Sequence, residues 1–90
     1  MFNKNTRKII ITNELGLHAR PAAMLVKTAS IFECDIKIKK QSEEVNAKSI
    51  MNLMILGAGK GTELAFFANG PDANEALDAI EKLFKDNFGE

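Results

Sequence analysis

The chain has 90 residues, and its twelve Lys and Arg balance its twelve Asp and Glu to a formal net charge of zero. This length accommodates one domain, residues 1–90, and a neutral chain gives no general support for nucleic-acid binding. One cysteine and one histidine exclude an internal disulfide and metal sites built from several Cys or His ligands. No apolar run reaches the roughly 20 residues of a membrane-spanning helix, so we expect a cytoplasmic protein without membrane insertion.

The first part of the chain predicts a strand followed by a helix. Residues 7–12 are rich in β-branched side chains, which is typical of a strand, and Ile9 and Ile11 would share one of its faces. Over residues 19–29 the apolar side chains follow the i, i+3, i+4, i+7 spacing of an amphipathic helix. Pro21 falls in the first turn of this helix, where its missing N–H costs no hydrogen bond.

The rest of the chain alternates between strand and helix patterns. Strict alternation over residues 34–39 predicts a half-buried strand with Cys34 pointing inward. A partner strand follows at residues 44–47, and then a short helix that begins at residue 50 and that Ser49 caps. A further strand at residues 63–68 precedes the last helix, which Asp72 and Glu75 cap and which ends near Gly89. This β-α-β-β-α-β-α order predicts an α+β fold, a two-layer open-faced sandwich with a four-stranded antiparallel sheet and three helices on one face.

The segment Leu15–Ala22 carries the clearest chemical signal. It places His18 at the N-terminal end of the first helix, after Gly16, which allows a sharp turn. The first-turn N–H groups of Ala19 and Arg20, together with the helix dipole, form a site suited to an anion such as phosphate. His18 supplies a nucleophilic nitrogen, and the Arg20 guanidinium supplies a permanent charge. The residues alone leave two interpretations open: phosphate handling, or a simple histidine cap beside a solvated arginine.

The sequence Leu-Gly-Leu-His-Ala-Arg-Pro-Ala at residues 15–22 resembles the active-site signature of the histidine-containing phosphocarrier protein (HPr) family of the bacterial phosphotransferase system. Residues 47–51 resemble the regulatory serine segment of that family, and the similarity extends over residues 7–88. The resemblance implies that His18 accepts a phosphoryl group on Nδ1 from phosphorylated Enzyme I and passes it to an EIIA-type domain, while Arg20 steadies the phosphate. It also implies a covalent carrier that has no cofactor and no turnover activity of its own.

The pathway of such a carrier stays open. Ser49 is a good N-cap, and the resemblance adds its regulatory phosphorylation by HPr kinase/phosphorylase, with a regulatory protein as a further partner. Ser49–Met51 resembles members controlled in this way, whereas Leu15 and the ending at Phe88 resemble the nitrogen-related branch. One alternative is therefore a regulatory binding module that acts through phospho-Ser49 or in nitrogen-branch signalling rather than in sugar transport. Another is an interaction domain that retains the motif without its chemistry.

Partner contacts are expected on the first and second helices. The second helix carries more apolar side chains than one face can bury, which predicts an exposed patch. The resemblance assigns the interface with Enzyme I and EIIA to Leu17, Met24, Lys27, Ile50, Met51 and Met54. Residues 1–60 hold ten basic and five acidic side chains, an excess of five positive charges (10 − 5) suited to steering acidic partners. We expect a monomer.

Three weaker signals give further expectations. Gly57–Thr62 superficially resembles a phosphate-binding P-loop, but Met54 stands where the Walker pattern requires Gly, so we predict a connecting loop. Phe67 points to the face of the sheet opposite the core and has no assigned role. Glu90, at the chain end, is a candidate neighbour of the active centre.

Overall fold

A computed structural model of the protein describes residues 4–89. The four strands are β1 (Lys4–Ile10), β2 (Asp35–Lys40), β3 (Glu43–Asn46) and β4 (Glu63–Asn69), and the three α-helices are α1 (Ala19–Ser30), α2 (Ile50–Leu56) and α3 (Ala73–Lys85). A short 3₁₀ turn follows at Asn87–Gly89. The predicted β-α-β-β-α-β-α order is confirmed, and Glu90, the candidate neighbour of the active centre, lies outside the described residues.

The strands form one antiparallel sheet in the order β1-β4-β2-β3, with β4 between β1 and β2. Alternate side chains of the two inner strands are buried beneath the helices, namely Leu64, Phe66 and Ala68 of β4 and Ile36 and Ile38 of β2. The opposite face carries none of the described helices, and there Phe67 is half-buried between its register partners Thr6 and Lys37. The predicted two-layer open-faced sandwich is therefore confirmed.

The first strand is displaced from its predicted range. β1 begins earlier and ends at Ile10, because its polar first residues pair with Phe67–Asn69 at the edge of the sheet. Ile11 lies beyond the strand but keeps sheet-like bonds: its N–H donates to Thr62 O at 2.9 Å, and its carbonyl accepts the Gly61 N–H at 2.8 Å. Ile9 and Ile11 are both buried, so the predicted core face of this segment is confirmed.

The helices bury unequal parts of their surfaces. α1 buries Pro21, Ala22, Leu25 and Ala29, and α3 buries Ala73, Ala76, Leu77, Ile80 and Phe84. Burial of a full Leu, Ile or Phe side chain contributes about 1.5–3 kcal/mol, so these two stripes fix both helices on the sheet. α2 buries only Leu53 and Leu56, which leaves most of that short helix facing outward.

The start of α3 differs from the predicted capping box. Asp72 is the N-cap residue, but its carboxylate makes no capping bond to the helix, and Glu75 remains as the acidic residue of the first turn. The carboxylate instead accepts the N–H groups of Glu33 and Cys34, each at 2.9 Å. The Asp72 carboxylate therefore bonds to N–H groups that are distant in sequence instead of to the first turn of α3. These bonds connect α3 to the segment before β2.

The end of α3 also differs from the prediction. The helix stops at Lys85, and Gly89 belongs to the 3₁₀ turn beyond it rather than to the helix end. Phe88 within that turn is completely buried, and its ring lies 4.8 Å from that of Phe84, centroid to centroid. The chain leaves the helical path because this aromatic ring folds back onto the core.

We expect Asp72→Asn to destabilise the protein at neutral pH but not at strongly acidic pH. The bond from the Glu33 N–H is the main cause that lowers the pKa of the Asp72 carboxyl, against an opposing effect of desolvation. Such a carboxyl stabilises the fold above its unfolded pKa of about 4, and the contribution is lost as pH falls through the lower, folded pKa. Urea midpoints of the two proteins should therefore converge as the pH falls through the lowered pKa of Asp72. A difference that stays constant with pH would contradict this account.

The cysteine is buried, as predicted. Burial, with a smaller contribution from the adjoining Asp72 carboxylate, raises the pKa of the Cys34 thiol to about 11. Because the thiolate is the reactive form, the protonated Cys34 has a structural role near neutral pH.

Candidate functional site

His18 occupies the N-cap position of α1, as predicted. Its backbone is extended, with φ −80° and ψ −173°, and its carbonyl accepts the Ala22 N–H at 2.9 Å as the first bond of the helix. The imidazole makes no capping bond and is half-buried. The backbone therefore holds the ring at the positive end of the helix dipole without engaging its nitrogens in capping.

The loop before His18 is braced on two sides. Asn13 is buried and donates from Nδ2 to Gly16 O at 2.8 Å, while the Gly16 N–H donates to the Asn13 carbonyl at 3.2 Å. The Leu17 N–H donates to Ala58 O at 2.9 Å, which joins this loop to the one after α2. A loop held in this way positions His18 before any partner binds, so less conformational entropy is lost when a partner docks. Apart from its turn propensity, Asn13 carries no sequence signal for this role.

Leu17 does not lie at the surface, so its predicted role as a partner contact is wrong. Its side chain is 4% exposed and belongs to the hydrophobic core. Residues in the loop before a helix have no regular periodicity, so the sequence does not show which of their side chains are buried and which are exposed. Here the bond from Leu17 to Ala58 turns the side chain inward, and Leu15 is the residue of this loop that faces outward.

The first turn of α1 continues the site. Ala19 and Arg20 are exposed next to His18, and their N–H groups point out of the N-terminal end of the helix, as helix geometry requires. The Arg20 guanidinium lies beside the C-terminal turn, since a methyl group built on Gly89 would stand 3.7 Å from Arg20 Nη2. A nucleophilic nitrogen, the helix N–H groups and an arginine therefore follow one another at the N-terminal end of α1. This arrangement is suited to holding a phosphoryl group.

The exposed side of α2 is apolar. We call it the α2 patch; it consists of Ile50, Met51, Met54 and Ile55. Ile55 is absent from the sequence prediction, although it lies one helical turn after Met51 and so shares its face. Ser49 is the N-cap of α2, as predicted, and its Oγ accepts the Asn52 N–H at 3.4 Å.

The predicted interface residues of α1 lie next to this helix, because α1 and α2 pack against each other. Met24 is half-buried and Lys27 is exposed. Other basic side chains of residues 1–60 have internal partners: Lys40 Nζ donates to Leu56 O, Lys48 Nζ to Phe32 O, and Lys60 Nζ to Glu14 Oε1. Part of the positive excess therefore stabilises the fold, in addition to any steering of partners.

Other kinds of site find little support within residues 4–89. No three His, Cys, Asp or Glu side chains of this range are grouped to bind a metal ion. None of the helices in the same range combines the length and the apolar character needed to cross a bilayer. Residues 57–62 form the loop between α2 and β4, as predicted, and no helix follows them as one would follow a P-loop.

The chain is similar to known proteins in both sequence and fold. The family model described as the PTS HPr component phosphorylation site matches residues 5–86. The phosphocarrier protein HPr of Treponema pallidum (strain Nichols) is 45% identical over 84 residues, which cover 93% of this chain and 96% of that protein. The crystal structure of HPr-C-His from Thermoanaerobacter tengcongensis superposes with a TM-score of 0.93 at 45% identity, covering 96% of this chain and 97% of that one. The solution structure of Crh, the Bacillus subtilis catabolite repression HPr, superposes with a TM-score of 0.66 at 40% identity, covering 89% and 95%.

Proposed function

The chain belongs to the HPr family of phosphocarrier proteins, and we propose that it relays a phosphoryl group from phosphorylated Enzyme I, through His18, to an EIIA-type domain. The observation that carries this proposal is the position of His18 at the N-cap of α1, two residues before Arg20. Both residues lie within the range that the phosphorylation-site model matches. In this proposal the protein is a covalent carrier that acts in the cytoplasm as a monomer.

The chemistry consists of two displacements at phosphorus. The lone pair of His18 Nδ1 attacks the phosphorus atom carried by Enzyme I, so that an N–P bond forms while the bond to the donor breaks and its electron pair returns to the donor. The N–H groups of Ala19 and Arg20 and the Arg20 guanidinium face the charge on the phosphoryl oxygens. A nucleophile of the EIIA domain then attacks the same phosphorus, and His18 leaves with the electron pair. The carrier is thereby returned to its starting state.

Labelling from Enzyme I tests the first displacement. The protein is incubated with Enzyme I and phosphoenolpyruvate that carries a radioactive phosphate. We expect a label that survives alkali and is lost in acid, as an N–P bond requires, and mass spectrometry should locate it on His18. The absence of label with several competent Enzyme I donors would contradict the proposal.

We propose that the α2 patch, with Met24 and Lys27, contacts Enzyme I and the EIIA domain. Met51 is 70% exposed, so Met51→Glu introduces a charge into an apolar contact. We expect the KM of this protein as a substrate of Enzyme I to rise roughly tenfold, the effect of losing a moderate interface contact. Ile10→Glu is the matched control, because Ile10 is 56% exposed and lies in β1 on the face of the sheet opposite the helices. Equal KM values for the two variants would contradict the proposed interface.

Ser49 is proposed as a regulatory phosphorylation site that also caps α2. A phosphate there is compatible with the helix N-terminus but places negative charge next to the α2 patch. We expect Ser49→Asp to accept phosphate from Enzyme I roughly tenfold more slowly than wild type. Ser49→Ala should lose about 1 kcal/mol of stability with its cap and keep the wild-type rate. Equal rates for Ser49→Asp and wild type would rule out this regulation.

A second candidate function is a regulatory binding module that acts through phospho-Ser49 or in nitrogen-branch signalling. The similarity to Crh, which is named for catabolite repression, supports this second function. Its signature would be an acid-stable, ATP-dependent label placed on Ser49 by HPr kinase/phosphorylase, with no label from Enzyme I. An acid-labile label on His18 would favour the relay instead.

A further inference from the structure

The C-terminal turn has an unusual backbone. Asn87, Phe88 and Gly89 have φ angles of +49°, +55° and +74°, so three consecutive residues are left-handed. Glycine adopts this conformation freely and asparagine tolerates it, but a bulky aromatic residue rarely does. A turn of this kind persists only where surrounding contacts hold it in place.

The contact that holds the turn is the Phe88 ring. It is completely buried and meets Phe84 edge-on, with ring centroids 4.8 Å apart, and Phe84 meets Phe66 in the same way at 5.6 Å. The Gly89 N–H donates to Asp86 O at 2.9 Å and closes the turn. This chain of three rings in edge-to-face contact therefore connects the turn to β4, an inner strand of the sheet.

The anchored turn touches both sides of the His18 motif. Thr12 Oγ1 donates to Asn87 Oδ1 at 2.6 Å, just before the loop that leads to His18. On the other side, a methyl group built on Gly89 would stand 3.7 Å from Arg20 Nη2, so the guanidinium lies close to Gly89 with room for about one methyl group between them. The turn thus meets the segment before the nucleophile and the cation after it.

From this juxtaposition we infer that Phe88 is a positioning residue for Arg20, an inference that rests on the proposed relay. The buried ring fixes the left-handed backbone of residues 87–89, and that backbone stands next to the guanidinium and limits where it can lie. Without the ring, the turn relaxes towards ordinary φ angles and the guanidinium loses this constraint. Phosphoryl transfer is sensitive to such changes, because a displacement of about 1 Å in a positioned group can cost up to roughly 100-fold in rate.

A double-mutant cycle separates this role from simple core packing. Phe88→Ala, Arg20→Lys and the double variant are assayed as substrates of Enzyme I, with kcat and KM measured separately. Arg20→Lys keeps the charge but loses the planar fork of the guanidinium. We expect Phe88→Ala to lower kcat roughly tenfold in the wild-type background and less than about twofold in the Arg20→Lys background. Phe88→Leu, which refills most of the space, should recover most of the rate.

Ile36→Ala is the control for lost stability. Ile36 is completely buried in β2 and belongs to neither the His18 motif nor the C-terminal turn, so its truncation should leave kcat within about twofold of wild type. All assays are made at a temperature at which circular dichroism shows each variant folded. Equal slowing by Phe88→Ala and Ile36→Ala, or the same slowing in the Arg20→Lys background, would overturn the inference and leave the relay standing. Absence of label on wild-type protein would overturn the relay itself.

Discussion

Replacing Gly16 with alanine should destabilise the domain by about 2–4 kcal/mol and disorder the approach to His18. A Cβ atom at this position would stand 2.4 Å from Ala58 O and 2.7 Å from Gly59 Cα, which are both backbone atoms and cannot move as a side chain could. The φ of +64° adds the cost of a left-handed conformation for a residue with a Cβ. Thermal unfolding followed by circular dichroism should show a Tm lowered by roughly 10–25 °C for a domain of this size.

Gly57→Ala is the matched control for this effect. Gly57 has nearly the same φ, +61°, but an added Cβ would meet only Ile55 O at an ordinary 3.7 Å. Gly57→Ala should therefore lower the free energy of unfolding by about 1 kcal/mol, which is the cost of the left-handed backbone conformation without a steric clash. If the two variants proved equally stable, the close packing of the loop before α1 on the loop after α2 would be contradicted.

The His18→Ala variant should fold as wild type does and yet accept no acid-labile phosphate. Its stability should change by about 1 kcal/mol or less, because the imidazole makes no capping bond to α1. Transfer from Enzyme I should fall by at least about 10³-fold, since the chain has no second histidine to take the phosphoryl group. The measurement is the acid-labile label that forms with Enzyme I and phosphoenolpyruvate.

The same variant contains its own control for folding. Where wild-type protein is labelled on Ser49 by HPr kinase/phosphorylase, as proposed, the His18→Ala protein should be labelled equally, because Ser49 caps a different helix, α2. An acid-labile label in this variant above about 1% of the wild-type level would mean that another residue takes the phosphoryl group.

Local patterns in the sequence were sufficient to predict most of the strands and helices and their order. β2 is an inner strand with one buried face, so Ile36 and Ile38 alternate with the exposed Asp35 and Lys37 in a way that the sequence displays. The start of β1 shows no such alternation, because its polar residues are placed by pairing with a strand far along the chain. Distant partners likewise decided the role of Asp72: a capping box is the local solution, but the N–H groups before β2 bind its carboxylate instead.

The candidate site likewise has one part that local sequence patterns predict and another that depends on distant contacts. His18 and Arg20 both lie at the N-terminal end of α1, so a correct prediction of where this helix begins was enough to place both residues there. The surroundings of the site depend on contacts that no local pattern encodes. Leu17 turns inward through its bond to Ala58, and Phe88 folds back on Phe84. The burial of Leu17 and the position of Phe88 therefore became clear only from the three-dimensional structure.

The discharge of the phosphorylated protein tests the relay most directly. The protein is phosphorylated, separated from Enzyme I, and mixed with an EIIA-type domain while the label is followed on both proteins. A carrier should pass its label to the EIIA domain at least about tenfold faster than the N–P bond hydrolyses when that domain is absent. Loss of label only as inorganic phosphate, at one rate with or without any EIIA-type domain supplied, would contradict the relay.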